Sequence, residues 1–527
     1  MKGRDGRVKI LKELLLSKLI EKLSTGQGQN DERPDHDVAN ERIGTEDGEE
    51  KVRRVLAAVS HAQDVETHRI GRGRSTIHLI FLKSLVDLNV QQRDVIKPMH
   101  LVVSKGGSTE QLRDTISINE RDKVVRLDEA VAYLLSGWTL VAMPGEEGLY
   151  GFKTSQVPGR GVSKAENQSI VIGPQDGFTE SIDTNLSLIR KRLRTPNLRV
   201  EGMKVGELTQ TSVIVLSIKG VANEEYVEEM KERIGKIDVD ALIDSGTLAQ
   251  WIDDQPLSPF PQFNLVERPD SACSGLIDGK VVVLIDGTPY VCMGPSSFIE
   301  FFHSPEDYFN RWMSSSLVRL LRLFGVVVSI TFSAIYVAVL TYHYEIIPAN
   351  MLKTIAQSRA RVPFPPLYEA VFLELTLEVL REAGVRLPTK VGQTMGIVGG
   401  IVIGQAAVSA GLTSNVMIIV VSLSALASFV TPSYVMGNAV RVIRFPIILI
   451  AGLWGFIGLS VGLVTILIHL LNLSSIGAPY MSPYASLRLA DLKDTMIRVP
   501  TQLLTTRPAM TRAQKNKKAG NTSLKRK

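Results

Sequence analysis

Glu374, Glu378 and Glu382 recur every fourth residue, so their carboxylates share one helical face while Val371, Leu375 and Leu377 to Val379 supply much of the rest. Carboxylates inside or beside an apolar layer are costly and mark ion paths. Repeated around an axis, one set per subunit, they favour cations. They are therefore the candidate pore or gating residues; the competing reading is a helix lying at an interface with its acids in water. Just beyond, Gly392, Gly396, Gly400 and Gly404 keep the same spacing. Such a stripe lets another backbone approach closely and marks helix packing, within one chain or between chains. Gly458 and Gly462 offer a shorter groove, and Ser424, Ser428 and Thr431 share a face that Pro432 interrupts. Those hydroxyls can satisfy carbonyls freed by the proline or touch an ion. His469, alone in an apolar run, reads as interfacial rather than as a proton relay.

The rest of the chain must hold these groups in place. Runs near 323–342, 393–411, 415–436 and 446–471 are each long enough to cross a hydrocarbon layer, which takes about 20 apolar residues. Residues 366–382 carry five charged side chains and read as an amphipathic helix, interfacial or re-entrant, giving four crossings in preference to five. Arg311, Arg319 and Arg322 before the first run put that end, and the soluble part preceding it, in the cytoplasm.

The formal charge of +6 belongs to the tail: Arg507 to Lys527 holds eight basic residues and no acid, leaving 52 basic against 54 acidic elsewhere. Beside a membrane such a tail reads as cytoplasmic and held by anionic lipid headgroups. Nucleic acid is not expected as a partner, because no recognisable nucleic-acid module accompanies the tail.

At 527 residues the chain exceeds one core. Residues 1–50 read as a helical or disordered extension. An α/β soluble N-terminal domain follows as two α/β subdomains, 51–172 and 173–318, then an α-helical transmembrane bundle at 319–475 and a cytoplasmic segment at 476–527. Strands are expected near 64–70, 76–82, 138–143, 149–154, 213–219 and 281–286, with an edge strand at 290–293. Arg190, Lys191, Arg192 and Arg194 read as a solvated helix end, with anion or headgroup binding as the rival.

Nothing points to catalysis. GRGRST at 71–76 and GLIDGK at 275–280 lack the spacing of a phosphate loop, and the histidines at 36, 61, 68, 78 and 100 lack metal spacing. Cys273 and Cys292 are too few for a disulfide framework and fit a reducing compartment. No catalytic residue, metal or cofactor is expected, and no ligand-binding residue is assigned.

Several long stretches carry a resemblance: GPQDGFTESIDTNLSLIRKRL at 173–193, DGTPYVCMGPSSFIEFFHSPEDYFNRW at 286–312 and PFPPLYEAVFLELTLEVLREAGVRLP at 363–388. IVGGIVIGQAAVSAGL at 397–412 and APYMSPYASLRLADLKDTMIRVP at 478–500 complete it. From about residue 50 to 505 the chain resembles the A subunits of spore germinant receptors, the GerA type. The family pattern has Arg before the first Gly-Pro where this chain has Ile172, so a role carried by that arginine does not transfer.

The resemblance implies residence in the inner spore membrane beside a transporter-like B subunit and a lipoprotein C subunit. It also implies a homo-oligomer acting as an ion channel opened by small nutrients. The SpoVA-associated F protein, similar through the membrane region, is the alternative, as is a scaffold packing on a transporter subunit without a pore of its own.

Overall fold

The computed structural model describes residues 41–518 except 72–75, 106–110, 112–114, 119, 156–163, 388–399, 401, 403 and 486–490. The expected N-terminal helix and linker before residue 41 lie outside the described residues. Residues 41–50 belong to the first α/β unit rather than to an extension, because Ile43 is wholly buried in its core.

The first unit runs α1 (Gly48–Ala58), β1 (Val65–Ile70), β2 (Ile77–Leu82), α2 (Lys97–Ser104), β3 (Arg121–Val124), α3 (Leu127–Leu135), β4 (Trp138–Ala142) and β5 (Leu149–Lys153). Its five antiparallel strands lie in the order β1-β2-β4-β5-β3. β2, IHLIFL, is buried at every position, as befits a strand covered on both faces. One face packs on α1 and α3 through Val52, Val55, Leu127 and Leu134, the other on α2 through Met99.

The second unit repeats this plan with α4 (Ile182–Arg192), β6 (Leu198–Val205), β7 (Thr211–Ile218), α5 (Glu224–Gly235), α6 (Ser245–Ile252), β8 (Asn264–Val266), α7 (Pro269–Ile277), β9 (Val281–Ile285) and β10 (Val291–Gly294). Its strand order, β6-β7-β9-β10-β8, is the order of the first sheet. The Asn223 and Asp244 side chains accept from backbone N–H groups at the starts of α5 and α6, which sets where those helices begin. The expected edge strand is an inner one: β10 lies between β9 and β8, because the short strand β8 adds beyond it. The expected solvated helix end at Arg190 is also corrected. Arg190 is buried and its Nη2 lies 2.5 Å from Asp64 of the first unit, while Arg192 donates to Asp176 and to the Leu188 carbonyl.

The helical part comprises α8 (Trp312–Tyr342), α9 (Ala349–Arg359), α10 (Pro366–Arg386), α11 (Asn415–Ser428) and α12 (Tyr434–Asn472). α8 and α12 are long and apolar enough to cross a membrane. Two expected runs are divided differently. The run 415–436 breaks after Ser428, and a new helix starts at Tyr434 with the Ser433 hydroxyl accepting from the Met436 N–H. The run 446–471 is broken by Gly455, whose φ of 62° and ψ of −141° turn α12 back on itself as two arms, 434–454 and 456–472. A Cβ at Gly458 would lie 2.3 Å from the Ile450 carbonyl, and one at Gly462 would lie 2.7 Å from Ile447 Cδ1. The groove expected there is filled by the other arm of the same helix.

Beyond Asn472 the chain straps onto the second α/β unit. Ile476, Ala478 and Met510 enter its core. Of the basic tail, residues 507–518 are described, and they dock on this unit. Arg507 Nε donates to the Ile277 carbonyl at 2.6 Å, Arg512 stacks on Tyr226 and Lys518 lies 2.5 Å from Asp278.

Candidate functional site

α10, expected as an amphipathic helix, interfacial or re-entrant, packs into the bundle. It runs antiparallel to the first arm of α12, with Leu367 against Gly452 and Glu374 against Arg444, and Ala370 and Leu373 join the bundle core. A helix with this many acids is accommodated because each inward acid has a partner. Glu374 Oε2 is 2.5 Å from Arg444 Nη1, and Glu374 Oε1 accepts from the Ser333 hydroxyl at 2.8 Å. Ser333 is 3.0 Å from Ser424, and Arg444 Nη2 donates to Ser329 at 2.9 Å. All five side chains are buried. One turn away Glu369, also buried, meets Arg359 Nη2 at 3.1 Å and accepts from the Ser414 N–H at 3.0 Å.

The row of acids does not share one environment. Side-chain exposure rises from 2% at Glu374 to 39% at Glu378 and 59% at Glu382. Each four-residue step turns a helix by about 40°, so the row rotates out of the bundle. Glu378 pairs with Arg381 and Glu382 with Arg386, both on α10 itself.

Gly392 and Gly396 lie outside the described residues. Gly400 and Gly404 are helical, and among the described residues nothing lies within 4 Å of a Cβ built on either. Ser424 belongs to the Glu374 cluster, Ser428 caps back onto the Ala425 carbonyl, and Thr431 falls beyond the helix end.

A second polar centre joins the bundle to the α/β domain. The Asp307 carboxylate, buried, accepts from Arg319 Nε at 3.1 Å and Arg322 Nη1 at 2.7 Å. Arg319 reaches on to Asp494 Oδ1 at 2.7 Å, and Arg498 Nη1 donates to the Asp307 and Asn310 carbonyls at 2.6 and 2.7 Å. Burial works to raise the Asp307 carboxyl, but the hydrogen bond and charge of Arg322, the Ser304 N–H and Arg319 together hold it below the usual carboxylate range. Beside them, burial first and the Arg319 charge second push the His303 imidazole down to about 3, and its Nε2 meets the Thr495 carbonyl at 3.0 Å. Sequence reasoning used Arg319 and Arg322 only as markers of orientation. The signal available was a pair of cations on an apolar helix, which require partners.

Among the described residues no group of three or more His, Cys, Asp or Glu is placed to hold a metal ion. Cys273 and Cys292 are both buried, and burial raises the Cys273 thiol to about 12.

Fold and site together define a class: a duplicated α/β domain bolted by buried ion pairs to a bundle of apolar helices that carries its own internal charge pair. The model of the Bacillus/Clostridium GerA spore germination protein family matches residues 53–510. The chain belongs to this family of spore germination proteins. It is 41% identical over 464 residues to spore germination protein GerQA of Bacillus cereus, covering 87% of this chain and 92% of that one. It is 35% identical to the membrane protein YfkQ of Bacillus subtilis (strain 168), covering 82% and 84%. The crystal structure of the N-terminal domain of the A subunit of the Bacillus megaterium germinant receptor GerK3 aligns with a TM-score of 0.37 at 24% identity, over 49% of this chain and 98% of that one.

Proposed function

We propose that this chain is the membrane-embedded A subunit of a germinant receptor and couples nutrient sensing to ion release in the inner spore membrane. In this reading its α/β domain is cytoplasmic, and it assembles with copies of itself, a transporter-like B subunit and a lipoprotein C subunit. Membrane crossing is supported by dimensions. The first arm of α12, residues 434–454, is about 30 Å long at 1.5 Å per residue, the thickness of a hydrocarbon core. Exposed aromatics mark both ends, Trp312 and Tyr434 toward the α/β domain and Tyr342 and Trp454 at the other.

The observation that carries a coupling role is the Glu374–Arg444 pair. A fully buried pair between two helices is a two-state element: closed it is dry, and parted it must be hydrated. Its opening would wet the helix face that leads past Glu378 and Glu382 to the exposed edge. Glu374 then acts in gating, while Glu378 and Glu382, each paired with an arginine of α10, stand at the edge along which a cation path between subunits would run.

Spores carrying the double substitution Glu374→Gln with Arg444→Gln test this. Receptor abundance is expected to stay near normal while nutrient-triggered potassium release changes rate. Unaltered release at unaltered abundance would remove the latch. Flux through liposomes holding the purified subunit separates a pore from a scaffold.

A further inference from the structure

The loop 253–262, DDQPLSPFPQ, carries an exposed apolar tip that neither the germination reading nor the site explains. Leu257 is 99% exposed, and Pro256 and Pro259 beside it are exposed as well. Loop tips facing water are ordinarily small and polar. The height of this one is fixed by bonds to the end of α12. Ser258 Oγ is 2.8 Å from His469 Nε2, Gln255 Nε2 donates to the Asn472 carbonyl at 3.2 Å, and the Phe260 and His469 rings are 6.0 Å apart. His469 lies one turn before the helix end, so the loop runs alongside the last apolar turn, where Leu467, Ile468 and Leu471 face outward.

We infer that this loop is a membrane-interface anchor, with Leu257 seated among lipid headgroups and the first acyl carbons. The inference rests on the reading of α8 to α12 as membrane-embedded. Acid is kept away from the tip: Asp254 is turned inward, where Arg233 pairs with it and the Ser474 hydroxyl and Gly477 N–H donate to it. The two prolines fix the backbone around the tip, so insertion orders little that is not already ordered. Trp251, at the end of α6 from which the loop departs, is 55% exposed and is of the residue type that favours a bilayer boundary. A lipid surface, rather than a partner protein, is the occupant because the bonds to His469 and Asn472 hold the tip level with the last apolar turn of α12. The anchor would fix the tilt of the second α/β unit against the membrane.

The test uses the full chain in proteoliposomes with Leu257→Cys carrying an environment-sensitive fluorophore, the native thiols being buried. Lipids bearing a nitroxide high on the acyl chain are expected to cut its emission about two-fold, and more than lipids bearing it deep in the chain. The same fluorophore at Leu449→Cys, on the exposed side of the first α12 arm, reports the bundle. Quenching at 449 without quenching at 257 overturns the anchor and leaves the membrane reading standing. Quenching at neither position overturns the membrane reading itself. A probe at 257 that only a co-reconstituted transporter-like subunit shields assigns the tip to a protein partner and likewise overturns the anchor.

Discussion

Arg444 and Glu374, 70 positions apart, meet at 2.5 Å between the first arm of α12 and α10, with Ser329 and Ser333 completing their hydrogen bonds. Removing one charge strands the other, at a cost of about 3–5 kcal/mol, whereas removing both is near neutral when the volume is kept. Glu374→Leu or Arg444→Met alone is therefore expected to lower the thermal midpoint of the detergent-solubilised protein sharply, and the double variant to recover most of the loss. Additive losses in the double variant would show that the two side chains act independently.

Asp307 is the counter-ion of both Arg319 and Arg322 at the foot of α8. Asp307→Asn keeps the shape but leaves Arg322 without its carboxylate and the buried Arg319 with Asp494 alone, with an expected cost of about 3 kcal/mol. The joint rather than either domain should loosen. Limited proteolysis is expected to cut first between residues 303 and 312, and wild-type resistance there would contradict the assignment.

Gly455 sits where only glycine is at ease, and an added Cβ would stand 2.9 Å from His343 Nε2 and 3.1 Å from Tyr342 Cβ. Gly455→Ala is expected to cost about 1–3 kcal/mol from backbone strain, with the contact adding to it. Cysteine cross-linking between Ile447 and Gly462 reads the hairpin directly: efficient in the parent, weak in the alanine variant.

Burial, with the Asp254 charge adding, pushes the Asp253 carboxyl up to about 7. The unfolded chain keeps an ordinary carboxylate, so the native state holds this proton to higher pH. Its stabilising effect is complete below about pH 4 and fades as pH rises through about 7. Thermal midpoints measured from about pH 5 to pH 8 should fall on this account. Asp253→Asn should flatten the trend, and an unchanged slope in that variant would remove Asp253 from the explanation.

Met510, carried by the C-terminal strap, is buried in the core of the second α/β unit, and the Tyr226 hydroxyl donates to its carbonyl at 3.3 Å. Met510→Ala is expected to cost about 2–5 kcal/mol as a buried large-to-small change. Urea unfolding of the solubilised chain measures it, and a loss within error would mean the strap is only loosely laid on.

Composition and period determined that a charged α/β region precedes an apolar helical one and that residues 366–382 are helical, while the long motifs carried the resemblance to the family. Those properties are local: a helix declares itself over three or four residues and an apolar run over twenty. What the tertiary structure decided is everything that pairs distant positions. Arg319 and Arg322 looked like orientation marks until Asp307 and Asp494 were brought to them. Glu374 and Glu369 of α10 had no evident partners until Arg444 and Arg359 arrived from other helices. β10 looked like an edge until the three-residue β8 added beside it, and the two sheets share one strand order that no sequence repeat announced. A charge carries no record of its partner in its own neighbourhood, and only the packed chain sets which opposite charge lies within reach.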